Sequence, residues 1–374
     1  MINFLKNCRG VSGSIAVIAI ILCNSFVSHG KTAVPVFLLS GQSNMAGYDA
    51  SVNDLTADER KTVDNVKIYM DGDGDWGKKK NWQTLGPGFG ASSRNLGPEL
   101  SMGETLSDSM PGTKIAFIKY SIGGTYLGKP EGWLPPSSNN GNGGNLYKNM
   151  MNTIDQALKT FSNAFDTSKY TPRWAGFVWF QGEFDAFQQN YANAYEKNLT
   201  NLIKDIRSKT GVDDLPVIIP MIDVQRQWTH NAIVRAADIA VKQKLKNVDT
   251  LDTKGFPTDG THYRAAGYIK IGQLIAQRWL AMDYIYEDVV HVFNPYYREI
   301  NREHYQTSKY RVNAFDLSGR MIGSSGSRNM QNMSSQTHVP SGVVILNVKQ
   351  SGKEGLQNSK NMKHQVVIVN LKNH

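Results

Sequence analysis

The sequence predicts an α/β protein built on a mostly parallel sheet with helices on both faces, followed by a small all-β unit. Three observations lead there. From Val34 to about Asp283, short runs rich in Val, Ile, Phe and Trp alternate with longer segments of helical period. Such alternation calls for right-handed crossovers that lay helices over both faces of a parallel sheet. After Asp283 the helical period stops, and short strand-like pieces separated by Ser, Gly and Asn take over. The 374 residues, 40% hydrophobic and 20% charged, suffice for a large core.

The strand runs fall at 34–39, 66–70, 114–120, 174–180, 216–222 and 248–251. Between them, Leu96 to Leu106, Leu146 to Phe161, Tyr191 to Arg207, Asn231 to Leu245 and Ala265 to Met282 place apolar residues three and four apart, the period of a helix with one buried face. In an open parallel sheet the reactive groups belong in the loops after the strand C-termini. The tail offers Tyr310 to Asp316, a turn at Leu317 to Arg320, Gly342 to Val348 and Gln365 to Asn370 as strands and connections. The expected organisation is a leader over 1–30, the α/β domain over 31–284, a linker over 285–306 and the β-rich unit over 307–374.

The leader expectation comes from Lys6 and Arg9 preceding the apolar stretch Ile15 to Cys23, with the small or polar Ser25, Ser28 and Gly30 after it. This is the layout of a signal peptide, and the stretch is too short to span a bilayer as a helix. Ile21 and Leu22 are too bulky for a lipoprotein signal ahead of Cys23. The mature chain is expected to start near Lys31 and to be secreted or held at the cell surface, with no transmembrane segment. Cys8 and Cys23 both lie in the leader, so neither a disulfide framework nor a thiolate site is expected, and a core of this size does not need one.

The formal charge is +9, but residues 289–374 hold eleven Lys or Arg against four Asp or Glu. The basicity belongs to the tail, where lysines scattered among Ser, Asn and Gln make a solvated surface. Nucleic acid is not an expected partner.

Four constellations carry candidate chemistry. Ser43 follows an apolar run, Pro35 to Leu39, within Gly41-Gln42-Ser43-Asn44-Met45. Met45 stands where a nucleophile elbow has its second glycine, so an ordinary α/β-hydrolase is disfavoured. Alone, this serine would be a turn or helix cap. Asp259-Gly-Thr-His262, just before the last helix, supplies a base with a carboxylate placed to reach Nδ1 while Nε2 stays free, although the same four residues could close on themselves as a loop. Trp179-Phe-Gln181-Gly-Glu183-Phe-Asp185 offers an amide donor and a second acid, and Gly123-Gly124 after the strand ending near Tyr120 offers backbone amides. Asp71-Gly-Asp-Gly-Asp75 has a calcium-like look, but Trp76 and Trp82 occupy the glycine and glutamate positions of an EF-hand loop, leaving a hydrated turn.

Gly-Gln-Ser-Asn-Met, Ile-Gly-Gly-Thr, Trp-Phe-Gln-Gly-Glu-Phe-Asp and Asp-Gly-Thr-His, in this order, resemble the SGNH-type carbohydrate esterases, the group of sialate O-acetylesterases and acetylxylan esterases (carbohydrate esterase family six). Gly97-Pro98-Glu99-Leu100 and Leu146-Tyr147 resemble further family positions. The resemblance spans about 34–283 and implies a flavodoxin-like three-layer α/β/α sandwich, the SGNH hydrolase fold. It implies Ser43 as nucleophile, His262 as base and Asp259 as the aligning acid, with Glu183 as the competing or supporting acid. It further implies an oxyanion pocket from the Ser43 amide, the Gly124 amide and the Gln181 side chain. No metal or other cofactor is expected, and the expected partner is an acetylated carbohydrate. Within the loop after Gly124 the chain departs from the pattern, and there Tyr126 and Trp133 are candidates to stack on a sugar or to pack. The tail, through Asp316 to Arg320 and Pro340 to Leu346, resembles the C-terminal sorting domains of the type 9 secretion pathway. That suggests contact with secretion machinery or a cell surface, an accessory sugar-binding module being the rival.

The expected function is hydrolysis of acetyl esters on carbohydrate, acetylated xylan or a related hemicellulose before sialic acid. Two other classes compete. A non-catalytic carbohydrate-binding protein on the same scaffold is separated by acetate release, and a metal-dependent phosphodiesterase, which lacks clustered histidines here, is separated by a chelator.

Overall fold

The structure, a computed structural model, describes residues 31–75, 77 and 80–282, together with the backbone of four strands in the C-terminal segment. The leader, the linker and the turn at 316–320 lie outside the described residues. Among those described, no helix is long and apolar enough to cross a membrane.

The strands of the main sheet are β1 (Thr32–Gly41), β2 (Val63–Gly72), β3 (Trp82–Leu85), β4 (Ile115–Ser121), β5 (Tyr170–Phe180), β6 (Val217–Pro220) and β7 (Val248–Leu251). They lie in the order β3-β2-β4-β1-β5-β6-β7. All neighbours are parallel except β3, which pairs antiparallel with β2 at one edge. This differs from the flavodoxin order in the antiparallel β3 added at one edge and in β4, which enters between β1 and β2 where a flavodoxin pairs its first two strands directly.

The strand β1 is apolar throughout because the sheet is covered on both faces. Val34, Val36 and Leu38 enter one core layer, while Ala33, Phe37 and Leu39 enter the other, as the two-residue period of a strand requires. Helices α3 (Asn145–Lys159), α4 (Gln189–Thr210) and α5 (Asn231–Lys244) cover the first face, with Met150, Ile154, Leu199, Leu202 and Val241 turned inward. Helices α2 (Glu99–Ser109) and α6 (Ala265–Ala281) cover the second, with Leu100, Leu106, Ile271 and Ile275. Phe37 meets Phe117 and Trp279 edge-on there, at 5.8 and 4.9 Å between ring centroids.

The expected strands and helices occur with shifts of a few residues at their ends. Among the strands and α-helices of residues 31–282, two have no counterpart in the sequence reading. One is β3, four residues long, whose Trp82 donates its indole N–H to the Ala157 carbonyl (3.1 Å) and packs against Tyr69, Phe161 and Phe165. The other is α1 (Ser43–Ala46), a single turn directly after β1. Helix α2 starts at Glu99 rather than Leu96, because Pro98 supplies no N–H and suits a helix entry.

In the C-terminal segment, β8 (Lys309–Phe315), β9 (Met321–Gly326), β10 (Val343–Ser351) and β11 (Gln365–Asn370) form an antiparallel sheet in the order β11-β10-β8-β9.

Candidate active site

The strand β1 lies at the point where the chain order reverses, with β4 on one side and β5 on the other, and crevices form beyond the C-termini of strands at such a point. The three strands finish level: Gly41 is in register with Ser121 of β4 and with Phe180 of β5. Backbone bonds from Gln42 N to Phe180 O (3.0 Å), Ile122 N to Gly41 O (3.1 Å) and Asp73 N to Ser121 O (2.9 Å) stitch the strand ends together. Gly41 is required there, since its φ is +149° and a Cβ would collide with the Phe180 carbonyl.

Ser43 is the first residue of α1. The turn closes through N–H groups of Met45 and Ala46 on the Gln42 carbonyl (2.9 and 2.7 Å) and ends on Gly47 in the left-handed region. Ser43 and His262 line one cleft of about 320 Å³ with Gln42, Tyr48, Gly123, Gly124, Glu183, Phe184, Phe187, Gln227, Trp228 and Thr261. The hydroxyl and the imidazole, more than two hundred positions apart, therefore share one crevice. Neither the Ser43 amide nor the Gly124 amide donates to a described residue. Gly124 has a φ of +70°, a conformation open to glycine, and its neighbour Gly123 gives its N–H to Asp73 Oδ2 (2.6 Å).

Asn44 cross-links three loops. Its Nδ2 donates to Glu183 Oε1 (2.6 Å) and, more weakly, to the Thr261 carbonyl (3.4 Å). Its Oδ1 accepts from the Tyr268 hydroxyl (2.9 Å) and the Tyr263 amide (3.4 Å). Glu183 is buried and its Oε2 has no hydrogen-bond partner among the described residues. Burial pushes its carboxyl up to about 7, against the lowering effect of the Asn44 bond.

Four site expectations need correction. Asp259 does not bond to the His262 ring: its Oδ1 accepts the N–H groups of Thr261 (2.8 Å) and His262 (2.9 Å), an Asx turn that closes the loop on itself. Burial alone would raise this carboxyl, but those two amides outweigh it and hold it below the ordinary carboxylate range. Nδ1 of His262 meets Asp49 Oδ2 instead, at 2.6 Å. Gln181 is the second correction. It is fully buried, and both N–H groups of its Nε2 are spent, on the Thr125 carbonyl (2.9 Å) and Asp185 Oδ2 (2.8 Å), so the amide holds the loop walls together and does not face the cleft. Third, Trp133 is 0% exposed; it packs on Tyr120 and Trp179 and donates to Thr125 Oγ1 (2.8 Å), which makes it core. Tyr126, the fourth, is half-buried against Phe184 and Tyr191 behind the cleft wall and does not line it.

Several site residues escaped the sequence reading. Asp49 sits six positions after Ser43 with a φ of +61°, a region that Asp tolerates better than most residues. Tyr48 stacks on His262, with 5.3 Å between centroids and 29° between planes, and donates its hydroxyl to Asp73 Oδ2 (3.0 Å). Asp73, read as part of a hydrated turn, thus holds both Tyr48 and Gly123. The aromatic wall is Phe184 and Phe187, in edge contact at 5.4 Å, with Phe187 40% exposed. The one usable signal was the gap between Gly47 and Asp49: a helix-ending glycine returns the chain toward the cleft, and an acid follows at once.

Comparison with known proteins agrees with this architecture. The profile of the family described as carbohydrate esterase, sialic acid-specific acetylesterase, matches residues 33–281. The chain belongs to this family. As a member of the sialic acid-specific acetylesterase family it is a carbohydrate esterase, and the matched region contains the whole cleft. A curated relative described as a probable carbohydrate esterase of Arabidopsis thaliana is 24% identical over 272 residues, 66% of this chain and 90% of the relative. A crystal structure of an Arabidopsis thaliana protein superposes with a TM-score of 0.53 at 21% identity, covering 67% of this chain and 99% of that one, a likeness of fold. A carbohydrate acetylesterase from Xanthomonas citri is more distant, with a TM-score of 0.46 at 16% identity over 65% of this chain and 55% of that one.

Proposed function

We propose that this chain is an exported serine esterase that removes O-acetyl groups from neutral carbohydrate, acetylated xylan or a related hemicellulose. The observation that carries the reading is the shared cleft of Ser43 and His262 beside two backbone amides without acceptors among the described residues. Ser43 Oγ attacks the acetyl carbonyl while His262 Nε2 takes its proton, and the carbonyl π pair moves onto oxygen. The Ser43 and Gly124 amides receive that oxyanion, each donor of this kind contributing roughly 3–4 kcal/mol to the transition state. Collapse breaks the bond to the sugar oxygen, which leaves with the proton from Nε2, and a water molecule repeats the sequence on the acetyl-serine.

Two features favour a neutral sugar. Among the described residues, the side chains lining the cleft include no Lys or Arg, and they include the acid Glu183. A sugar acid would find no counter-charge there. Phe187 and Phe184 offer an apolar face for the C–H edge of a pyranose. The second reading, a sialate O-acetylesterase, takes its support from the family description. Acetate release from acetylxylan beside an O-acetylated sialic acid decides between them. Ser43→Ala is expected to abolish release from either substrate, and from a chromogenic acetate, with the thermal unfolding curve unchanged. Full activity in that variant ends the esterase reading. Export rests on the leader-like residues 1–30, and the C-terminal strands are proposed as a sorting or accessory unit.

A further inference from the structure

His262 stands between two carboxylates, and they are engaged differently. One oxygen each of Asp49 and Asp259 and a ring nitrogen of His262 all lie within 4.8 Å of one another. The Asp259 carboxylate is occupied by the backbone of its own turn, and its Oδ2 faces the Arg264 guanidinium at 3.9 Å. Among the described residues, the Asp49 side chain has a single hydrogen-bond partner, His262 Nδ1 at 2.6 Å. The position of Asp49 is set by backbone geometry: Gly47 ends α1 in the left-handed region, and Asp49 itself is left-handed. The ring it meets is held from one face by Tyr48, which is anchored in turn by Asp73. Across the cleft, Glu183 is the remaining acid.

We propose that Asp49 is the carboxylate that orients His262 for proton transfer, and that Asp259 builds the turn that carries the histidine. This rests on the serine-esterase reading of the cleft. As Ser43 Oγ bonds to the acetyl carbon, its proton passes to Nε2. The resulting imidazolium keeps its Nδ1–H on Asp49, which stays ionised throughout and supplies the counter-charge. Asp49 touches no reacting atom, so its role is positioning. Its side chain is 56% exposed, so water screens the pair and its effect is smaller than that of a buried triad acid.

The test uses the full chain with Asp49→Asn, Asp49→Glu and Asp259→Asn, following kcat and KM on 4-nitrophenyl acetate across pH. Asp49→Asn is expected to lower kcat roughly a hundredfold with KM little changed, because the imidazolium formed during proton transfer loses its counter-charge. Asp49→Glu recovers part of kcat. Asp259→Asn retains kcat within about threefold, because an amide oxygen can accept the same two backbone N–H groups. Loss of turnover in Asp259→Asn alone, with Asp49→Asn close to the parent, overturns the assignment, and so does near-parent turnover in both variants. A nitrogen-15 spectrum of the histidines, with His262 identified by its Gln variant, gives a readout independent of turnover. The neutral ring is expected to carry its proton on Nδ1 in the parent and in Asp259→Asn, and to lose that tautomeric preference in Asp49→Ala, which leaves no side-chain acceptor at that position. A parent without esterase activity that still shows this pattern refutes the esterase reading while leaving the Asp49–His262 pairing in place. An Nδ1 signal that ignores Asp49→Ala refutes the pairing itself.

Discussion

Asn44 is the residue through which the neighbourhood of Ser43 becomes rigid. With two donors and two acceptor bonds engaged, it ties the Ser43 turn to the loop after β5, to the histidine turn and to α6. Its partner Glu183 has a consequence for stability. A carboxyl raised on folding from 4.5 to about 7 binds its proton more tightly in the folded chain, so it costs stability as pH rises from about 4.5 and the full cost is reached above about 7. The size of that effect is on the order of 3 kcal/mol. Asp185, raised to about 6 mainly by burial, acts in the same direction. Glu183→Gln keeps an oxygen for Asn44 and cannot ionise. Urea titrations at several pH values between 4 and 8 are expected to show the advantage of the variant over the parent growing with pH. A constant difference would contradict the assigned burial. Asp238, buried on α5 with both carboxyl oxygens unpartnered among the described residues and its carboxyl raised well above the ordinary range by burial, leads to the same expectation for Asp238→Asn.

At the scale of elements, the turn α1 is held by β4 and α2 as well as by β1. Lys119, fully buried on β4, gives its ammonium to Glu99 Oε2 (2.7 Å), the Phe89 carbonyl (2.8 Å) and the Ala46 carbonyl at the end of α1 (3.3 Å). Glu99 uses its other oxygen on the Gly97 amide (3.0 Å). Lys119→Met leaves the buried glutamate without its counter-charge, keeping only the Gly97 amide, and is expected to destabilise the domain by about 3–5 kcal/mol, read from urea midpoints, with much of the loss recovered in Lys119→Met/Glu99→Gln. The loop after β5 presents Phe187 to the cleft. Phe187→Ala is expected to raise KM for acetylated oligosaccharide severalfold and to leave kcat on 4-nitrophenyl acetate unchanged, because only the longer ligand reaches the aromatic face. Equal effects on both substrates would place Phe187 in packing. These elements were unequally legible beforehand. A long apolar run such as Val34–Leu39 identifies itself. Trp82–Leu85 has four residues, with its buried ends Trp82 and Leu85 in opposite core layers, too short a run to show a period, and the single turn α1 is shorter than the helical repeat needs.

For the whole molecule, the family match over 33–281 and the cleft lie within the same α/β unit. Removal of 307–374 is accordingly expected to leave kcat/KM on a soluble chromogenic acetate unchanged. A collapse of turnover in a folded truncated chain would make the C-terminal strands part of the working enzyme. The sequence by itself determined the alternation of strands and helices, the arrival of Ser43 at a strand end and the presence of His262 just before the last helix. Those features are local, written in period and in residue chemistry. Which carboxylate reaches the imidazole, which amides stay free and which aromatic rings face the crevice were decided only by tertiary structure. A hydrogen-bonding group can be satisfied once, and its partner is whatever packing brings near. Asp259 and Gln181 are consumed by neighbours in the folded loops, and Asp49, 213 positions before His262, is the carboxylate left to meet it.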